Sequence, residues 1–576
     1  MDRPANWSAY RMAALSAVGL VVGAIAALLA IAFVDLIGLM NAVLLIAPHA
    51  RVQMDDSSGV LTAATVLVPA LGGVVVGLIV QSLVDERRAL GPPDTILTVQ
   101  TGGLPPRIRS GIASTAAALV SLGCGASVGQ YGPLVYLGTI VGAVASRLRV
   151  GLADLQSVAI ACGVAAAIST AFNAPIAGIV FAHEVILRHF SLRAFAPVTV
   201  ASGTGYVIAN VIFDREPLFL VRFGGVEQAH EFVLFALVGV FGAMVAVAYM
   251  RFLAVGAWLA DRLPGPAALR PGFAGLALGL VALQLPEVLG VGTETLRFTT
   301  IDGAFEIGEL AALLIAKILL TALCIGFGFV GGVFSPALLI GALFGALGGA
   351  AVGMVFPGGY SGVAVYAICG MTAVFSPVIG GPLTAIMIVF ELTRSYDLTV
   401  AAMVAVVFSN LLANRLFGRS LFDVQLAGRG FDLSMGRDRA ILQNRRVTEV
   451  SSVSGPVADP QEPLREALVR IASAGRSEAP VVDAAGIYRG LIRAGSLATN
   501  CPDALVADVV TDEGLVFDQT TTVWEALERM RHFVGDAAAV VESDSKRFLG
   551  TVTEAAVIGA YLDMAQSLKR EEHAVL

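Results

Sequence analysis

The chain has 576 residues, of which 56% are hydrophobic and only 14% charged, with a mean hydropathy of +0.81. Soluble proteins carry about 25% charged residues, so a wholly water-soluble enzyme or binding module is excluded. The formal net charge of −7 comes with no basic cluster, which argues against nucleic acid as a partner.

Met12 to Val34 and Val60 to Val84 carry no charge, and each exceeds the roughly 20 residues needed to cross a hydrocarbon core. The first run is longer than the apolar part of a secretory leader and more spans follow, so it is expected to be retained. Between Arg109 and Arg147 there is no Asp, Glu, Lys, Arg or His. Further apolar runs follow at Leu155–Ala182, Phe195–Ile212, Phe232–Met250, Phe273–Leu289, Leu310–Phe356, Tyr360–Phe390 and Leu398–Leu416. Several are too long for one crossing and too rich in Gly and Pro for one straight helix, which predicts broken or re-entrant helices buried in protein. Arg3 and Arg11 precede the first run, and Arg415, Arg419, Arg429, Arg437 and Arg439 close or follow the last. The positive-inside rule then predicts a multi-pass protein of the cell membrane with both termini in the cytoplasm.

Two short stretches nearly repeat each other: Gly129-Gln130-Tyr131-Gly132-Pro133 and Gly332-Val333-Phe334-Ser335-Pro336. Each is followed by a second matching block, Gly163 to Val185 and Gly370 to Leu392. At one constant offset these blocks pair Gly163 with Gly370, Ala166 with Ala373, Ser169 with Ser376, Pro175 with Pro382, Ile179 with Ile386 and Glu184 with Glu391. A duplicated membrane half with Gly/Pro interruptions at matching places predicts broken helices that meet near the bilayer midplane at a permeation site. A helix start offers unpaired N–H groups and the positive end of its dipole, so opposing half-helices can hold an anion without a full charge. Glycine allows close backbone approach, and proline in the first turn gives up no needed donor.

Glu184 and Glu391 are ionisable groups within membrane segments and hence functional candidates; their placement before a polar stretch also fits bonding to a neighbouring backbone. His183 titrates near neutral pH in principle, and a satisfied structural role is the competing reading. Of the five cysteines, Cys124, Cys162, Cys324 and Cys369 lie in apolar segments and Cys501 does not; none has metal-type spacing. No nucleophile and base pair or metal cluster stands out, so neither an enzyme nor a metal or other cofactor is expected.

From about Gly430 the texture becomes that of ordinary soluble protein. A helix around Pro463–Ala474 precedes a strand at Ala479–Asp483 and another at Gly490–Ile492. The same order recurs with a helix around Val523–Phe533 and strands at Ala537–Val541 and Leu549–Thr553. This predicts a small α/β module present twice. The pair resembles tandem cystathionine-β-synthase-type (CBS) domains.

The membrane part, from about Arg11 to Leu426, resembles the CLC chloride channels and proton-coupled transporters. The resemblance implies an all-α polytopic membrane fold with inverted repeats and broken helices, followed by an α/β tandem CBS module. It divides the chain at 1–430, 431–503 and 504–576. Gly332-Val333-Phe334-Ser335-Pro336 matches the family motif GxFxP, whose amides at the Val333 and Phe334 positions face the central anion. Gly129-Gln130-Tyr131-Gly132-Pro133 sits where the family has G(K/R)EGP, which places Gln130, Tyr131 and Gly132 at the anion. Ala89-Leu90-Gly91-Pro92-Pro93 takes the GSGIP position on spacing, in preference to Gly102-Gly103-Leu104-Pro105, and Leu421-Phe422-Asp423 takes that of the tyrosine-containing closing helix. The family's serine and tyrosine hydroxyls at the anion thus become Leu90 and Phe422.

The outer gating glutamate of coupled members is replaced by Tyr131, and the inner proton-path glutamate by Val185. Valine does not titrate and tyrosine has an unperturbed pKa of about 10, so proton coupling is expected to be absent. Tyr131 is then either a neutral gate or hydroxyl ligand, or a packing aromatic. With fewer donors, the site is expected to favour weakly hydrated anions over fluoride, or to be narrowed shut by Leu90, Tyr131 and Phe422. The resemblance further implies a homodimer with one chloride pathway per subunit. In the tail, the Thr-x-x-Asp segment that meets an adenine nucleotide's ribose reads Thr553-Glu554-Ala555-Ala556, and Arg493-Ala494-Gly495-Ser496 in the first copy, so a scaffold or gating role competes with nucleotide binding. Passive anion conduction is the expectation; proton-coupled exchange through Glu184 or His183, and a non-conducting sensor working through its tail, are the alternatives.

Overall fold

The computed structural model describes residues 5–47, 58–102, 107–147, 155–215, 225–226, 228–357, 359–433, 436–493, 504–511 and 514–573. Gly103-Leu104-Pro105, Ala494-Gly495-Ser496 and Cys501 lie outside them. The chain divides into two compact units, Met1–Leu426 and Ala427–His573.

In the first unit, α1 (Ala5–Val43), α2 (Ser58–Leu83), α3 (Pro92–Thr101) and α4 (Ile108–Gly123) precede the first repeat. That repeat comprises α5 (Tyr131–Ser146), α6 (Leu155–Phe172), α7 (Pro175–Phe181) and α8 (Leu192–Tyr206). α7 runs on as a π-helical stretch over Ala182–Leu187 and α8 as another over Val207–Ile212. The connecting helices α9 (Glu231–Arg262), α10 (Arg270–Ala282), α11 (Thr293–Phe298) and α12 (Ile307–Gly326) lead to the second repeat. It comprises α13 (Phe334–Val355), α14 (Val363–Ile379), α15 (Pro382–Thr393) and α16 (Tyr396–Leu416), and α17 (Leu421–Ala427) closes the unit. Among the described residues, eight helical segments are long and apolar enough to cross a membrane.

The over-long apolar runs are broken where the sequence carries its Gly and Pro. Leu155–Ala182 breaks at Asn173, which has a left-handed φ of 56°, before Pro175 opens α7. Tyr360–Phe390 breaks at Gly380, with φ 76°, before Pro382 opens α15. Leu310–Phe356 breaks between Gly326 and Phe334. Within each repeat the first two helices pack backbone to backbone: a Cβ on Gly370 would stand 2.5 Å from the Gly341 carbonyl oxygen, and Gly163 meets Gly138 in the same way.

A helix that starts inside the protein leaves N–H groups without intrahelical partners, and here each repeat supplies the other's. Glu391 of α15 accepts from the N–H of Ile176 (2.9 Å) and of Ala177 (2.7 Å) at the start of α7. Glu184, just after α7, accepts from the N–H of Leu383 (2.9 Å) and Thr384 (2.8 Å), and from the Thr384 hydroxyl (2.7 Å), at the start of α15. Of the two sequence readings, both carboxylates thus take the structural one, bonding backbone, although across the repeats and not locally. The four described cysteines are free and buried.

The second unit holds the repeated α/β pattern. The first copy has α18 (Leu464–Ser473), β1 (Glu478–Val482) and β2 (Tyr488–Arg493), the strands paired antiparallel. The second has β3 (Val516–Asp518), α19 (Val523–Met530), β4 (Ala538–Val541) and β5 (Phe548–Val552). β3 is parallel to β4, β4 antiparallel to β5, and α20 (Glu554–His573) follows. The extended start of the first copy mirrors β3 through a parallel bridge between Ala458 and Val481. Each copy has its own core, around Leu464, Leu468, Val481 and Ile492 in one and Phe517, Val523, Val540 and Val552 in the other. Asp518 accepts from the N–H groups of Thr520 (2.7 Å) and Thr521 (2.8 Å) in the turn before α19, and these bonds with the Thr520 hydroxyl hold its carboxyl below the usual carboxylate range.

Hydrogen bonds that backbone N–H groups donate to a carboxylate stabilise by about 1.5–3 kcal/mol each. Glu391→Ala is therefore expected to lower the melting temperature of the purified protein clearly, and Glu391→Gln, which keeps an acceptor oxygen, to lower it less; equal melting of all three forms would contradict the cap.

Candidate functional site

The two near-repeated motifs meet directly. Gly129 N–H donates to the Gly332 carbonyl (2.7 Å) and Gly332 N–H to the Gly129 carbonyl (2.6 Å), a two-bond antiparallel bridge between the halves. A Cβ on Gly132 would stand 2.7 Å from the Gly332 Cα, and one on Gly332 would stand 2.6 Å from the Gly132 nitrogen. Only glycine permits this approach. The starts of α5 and α13 are thus fixed beside each other, and the start of α3 joins them, with the Pro92 ring 3.8 Å from the same Gly132 Cβ position.

Gln130 and Val333 are the N-cap residues of α5 and α13. Among the described residues, the N–H groups of Tyr131, Gly132, Val333 and Phe334 donate to no acceptor, whereas that of Gly332 is taken by the bridge. Four free donors and two aligned dipole starts therefore share one small region, which suits a monovalent anion.

The side chains around these donors are mostly aromatic. The Tyr131 ring stacks on Phe172 with centroids 3.9 Å apart and planes 19° from parallel. Phe334 lies 6.3 Å from Tyr131, 5.4 Å from Phe181, 5.4 Å from Phe375 and 6.2 Å from Phe422. All six rings are buried. Offset and edge-on ring contacts of this kind add about 0.5–1.5 kcal/mol each beyond burial, so the cluster is cohesive. On one side Tyr131 and Phe172 line a cavity of about 1130 Å³, together with Gln130, Thr170, Asn173, Arg297 and residues of the Pro286–Thr295 segment.

The other expected positions separate. Phe422, in α17, joins the ring cluster through Phe334, and Arg188 anchors that helix through an ion pair with Asp423 (2.7 Å). Leu90 packs with Val84, Ala113 and Tyr136, and its N–H donates to the Ser114 hydroxyl (3.1 Å). Val185 is buried against Gly381, where a Cβ on the glycine would lie 3.1 Å from a Val185 methyl. His183 is buried, with Nδ1 3.0 Å from the His189 carbonyl and its ring stacked on Phe190. In the tail, the Thr553 hydroxyl accepts from the Ala556 N–H (3.1 Å), and Ala556 packs on the core of the second copy.

Sequence reasoning missed Phe172, Phe181 and Phe375, which no spacing links to the motifs. It also passed over Ser335, whose buried hydroxyl meets no hydrogen-bond partner among the described residues. Its place inside the second motif was the available signal.

A family model described as voltage gated chloride channel matches residues 72–414, and a CBS domain model matches residues 506–563. A ClcB-like protein of Ralstonia nicotianae, described as a chloride channel protein, is 30% identical over 374 residues, 63% of this chain and 86% of that one. Chloride channel protein CLC-f of Arabidopsis thaliana is 29% identical over 366 residues, 59% of this chain and 46% of that one. Among solved structures, a slow cyanobacterial Cl⁻/H⁺ antiporter superposes with a TM-score of 0.66 at 22% identity, covering 72% of this chain and 97% of the other. A eukaryotic CLC transporter superposes with a TM-score of 0.61 at 20% identity, covering 94% and 97%. The match runs through both halves of the duplicated membrane unit, and the chain belongs to the voltage-gated chloride channel (CLC) family of anion channels and transporters, with a CBS domain in its C-terminal unit.

Proposed function

We propose that this protein passes chloride, or another small monovalent anion, down its gradient without exchanging protons, with Tyr131 as a neutral gate. One observation carries the reading: neither position at which a coupled member titrates holds a titratable carboxylate. Tyr131 stands on Phe172 at the first, and Val185 packs on Gly381 at the second. Substitute carriers are poorly placed, because Glu184 is occupied by three donors of Leu383 and Thr384 and the His183 ring faces the His189 carbonyl.

The free amides of Tyr131, Gly132, Val333 and Phe334 supply the attraction for the anion, and distributed dipoles allow both entry and exit. The ring cluster supplies the barrier. With no side-chain hydroxyl at Leu90 or Phe422, dehydration is compensated less fully, which favours weakly hydrated anions over fluoride. The protein works as a homodimer with one pathway per subunit and both termini in the cytoplasm, and its tail acts as a scaffold for assembly or gating. Nucleotide binding is disfavoured by Ala556 at the acid position and by the use of Thr553 as a cap on α20.

In liposomes with the potential clamped, a chloride gradient is expected to drive anion flux and no uphill proton movement; reproducible proton pumping would overturn the uncoupled reading, and absence of flux would favour a sensor.

Tyr131→Ala opens the stack on Phe172 and is expected to raise flux several-fold. Tyr131→Phe keeps the ring and is expected to leave the barrier similar while altering anion preference. Tyr131→Glu would restore a titratable side chain, so its flux should vary with pH, as the wild type's should not. Matching flux, preference and pH response in all forms would make Tyr131 a packing residue.

A further inference from the structure

Between Glu231 and Asp261, α9 carries a single charged residue, Arg251, and it lies on the exposed side of the helix. Its neighbours on that side are apolar: Phe241 and Met244 before it, and Phe252, Val255 and Trp258 after it, are all exposed. Most charged groups in membrane helices face the protein interior. One that faces outward must reach the membrane boundary or meet an anion.

The neighbouring helix marks that boundary. α9 and α16 run parallel, with Gly239 packed on the Ala405 carbonyl and Arg251 donating to the Leu416 carbonyl (3.3 Å), where α16 ends. Arg415 and Arg419 close the last apolar run and put this end of α16 at the membrane surface. On α9, Trp258 carries Arg262 3.7 Å over its ring, an aromatic and arginine pairing typical of headgroup level. Arg415 is exposed like Arg251, and among the described residues neither forms an ion pair with a carboxylate. The Leu416 carbonyl uses only part of the Arg251 donor fork. Two arginines therefore share the end of α16 with no acid to offset them.

We propose that Arg251 and Arg415 form a site for the headgroup phosphate of an anionic phospholipid, seated where α16 ends against α9. Guanidinium groups bind phosphate oxygens through paired N–H groups, and a basic pocket between membrane helices suits an anionic headgroup. The acyl chains lie along apolar residues further into the membrane, Phe241 and Met244 of α9 and Val407 and Leu411 of α16, all of them exposed. Phosphatidylcholine fits less well, because its own ammonium group competes for the phosphate. The inference rests on the membrane class of the chain and not on whether or how it passes anions.

The test is lipid retention by the purified full-length protein. After delipidation and incubation with equal amounts of phosphatidylglycerol and phosphatidylcholine, the bound lipid is counted by native mass spectrometry. Wild type is expected to retain phosphatidylglycerol about fivefold or more over phosphatidylcholine. Arg251→Leu, which suits the apolar face, and Arg415→Gln are each expected to cut that preference about threefold or more, and Arg251→Lys, which keeps the charge without the fork, to cut it less. The Arg415 side chain makes no contact among the described residues, so Arg415→Gln carries the test even if Arg251→Leu, which also loses the Leu416 bond, fails to fold. Arg109→Gln, at an exposed arginine of α4, should leave the preference unchanged. Equal retention of the two lipids by wild type would overturn the site, and so would an equal loss of preference in Arg109→Gln, which would show diffuse surface charge. An unchanged preference in Arg251→Leu and Arg415→Gln would leave Arg251 only as a bond to the end of α16.

Discussion

The backbone bridge between Gly129 and Gly332 is the constraint on which the rest of the membrane unit depends. No water is at hand in the interior of a membrane protein to satisfy a non-helical peptide group, so such groups must find partners within the protein. The two segments leading into α5 and α13 find them in each other. Because the bridge uses the N–H of Gly129 and of Gly332, the next donors, on Tyr131, Gly132, Val333 and Phe334, stay free and face a shared region. A side chain at residue 132 or 332 would push the two backbones apart and separate those donors.

A second reciprocal contact makes the halves inseparable. Glu184 and Glu391 occupy equivalent places in the repeat, and each satisfies the open N–H groups at the start of the other half's broken helix. The frame is therefore close to two-fold in its bonding, while the chemistry placed on it is not. α5 opens with Tyr131 and α13 with Phe334; one ring carries a hydroxyl beside the cavity and the other is the hub of a hydrocarbon cluster. A single step along the chain separates Glu184, which bonds the start of the other half's broken helix, from Val185, which packs on Gly381.

The donors and the rings are different parts of this arrangement. Two helix starts provide free N–H groups and a field suited to an anion, whereas six buried rings packed on one another surround them with hydrocarbon.

The amino-acid sequence alone determined the membrane class, the duplication, the places where the helices break and the strand order of the tail. These follow from local chemistry: apolar length, proline without an N–H, glycine at positive φ, and alternation of strands with short helices. The strand at Glu478–Val482 falls within a residue of where the sequence puts it, and the breaks at Asn173 and Gly380 stand just before Pro175 and Pro382, which the duplication pairs. Tertiary structure alone decided which residues share the site. It set Phe172 against Tyr131, moved Leu90 into a cluster with Tyr136, and gave Glu184 its partners on Leu383 and Thr384. Those pairings join segments far apart in the chain, and contacts between distant segments leave no period or spacing in the sequence; they exist only once the two halves have packed.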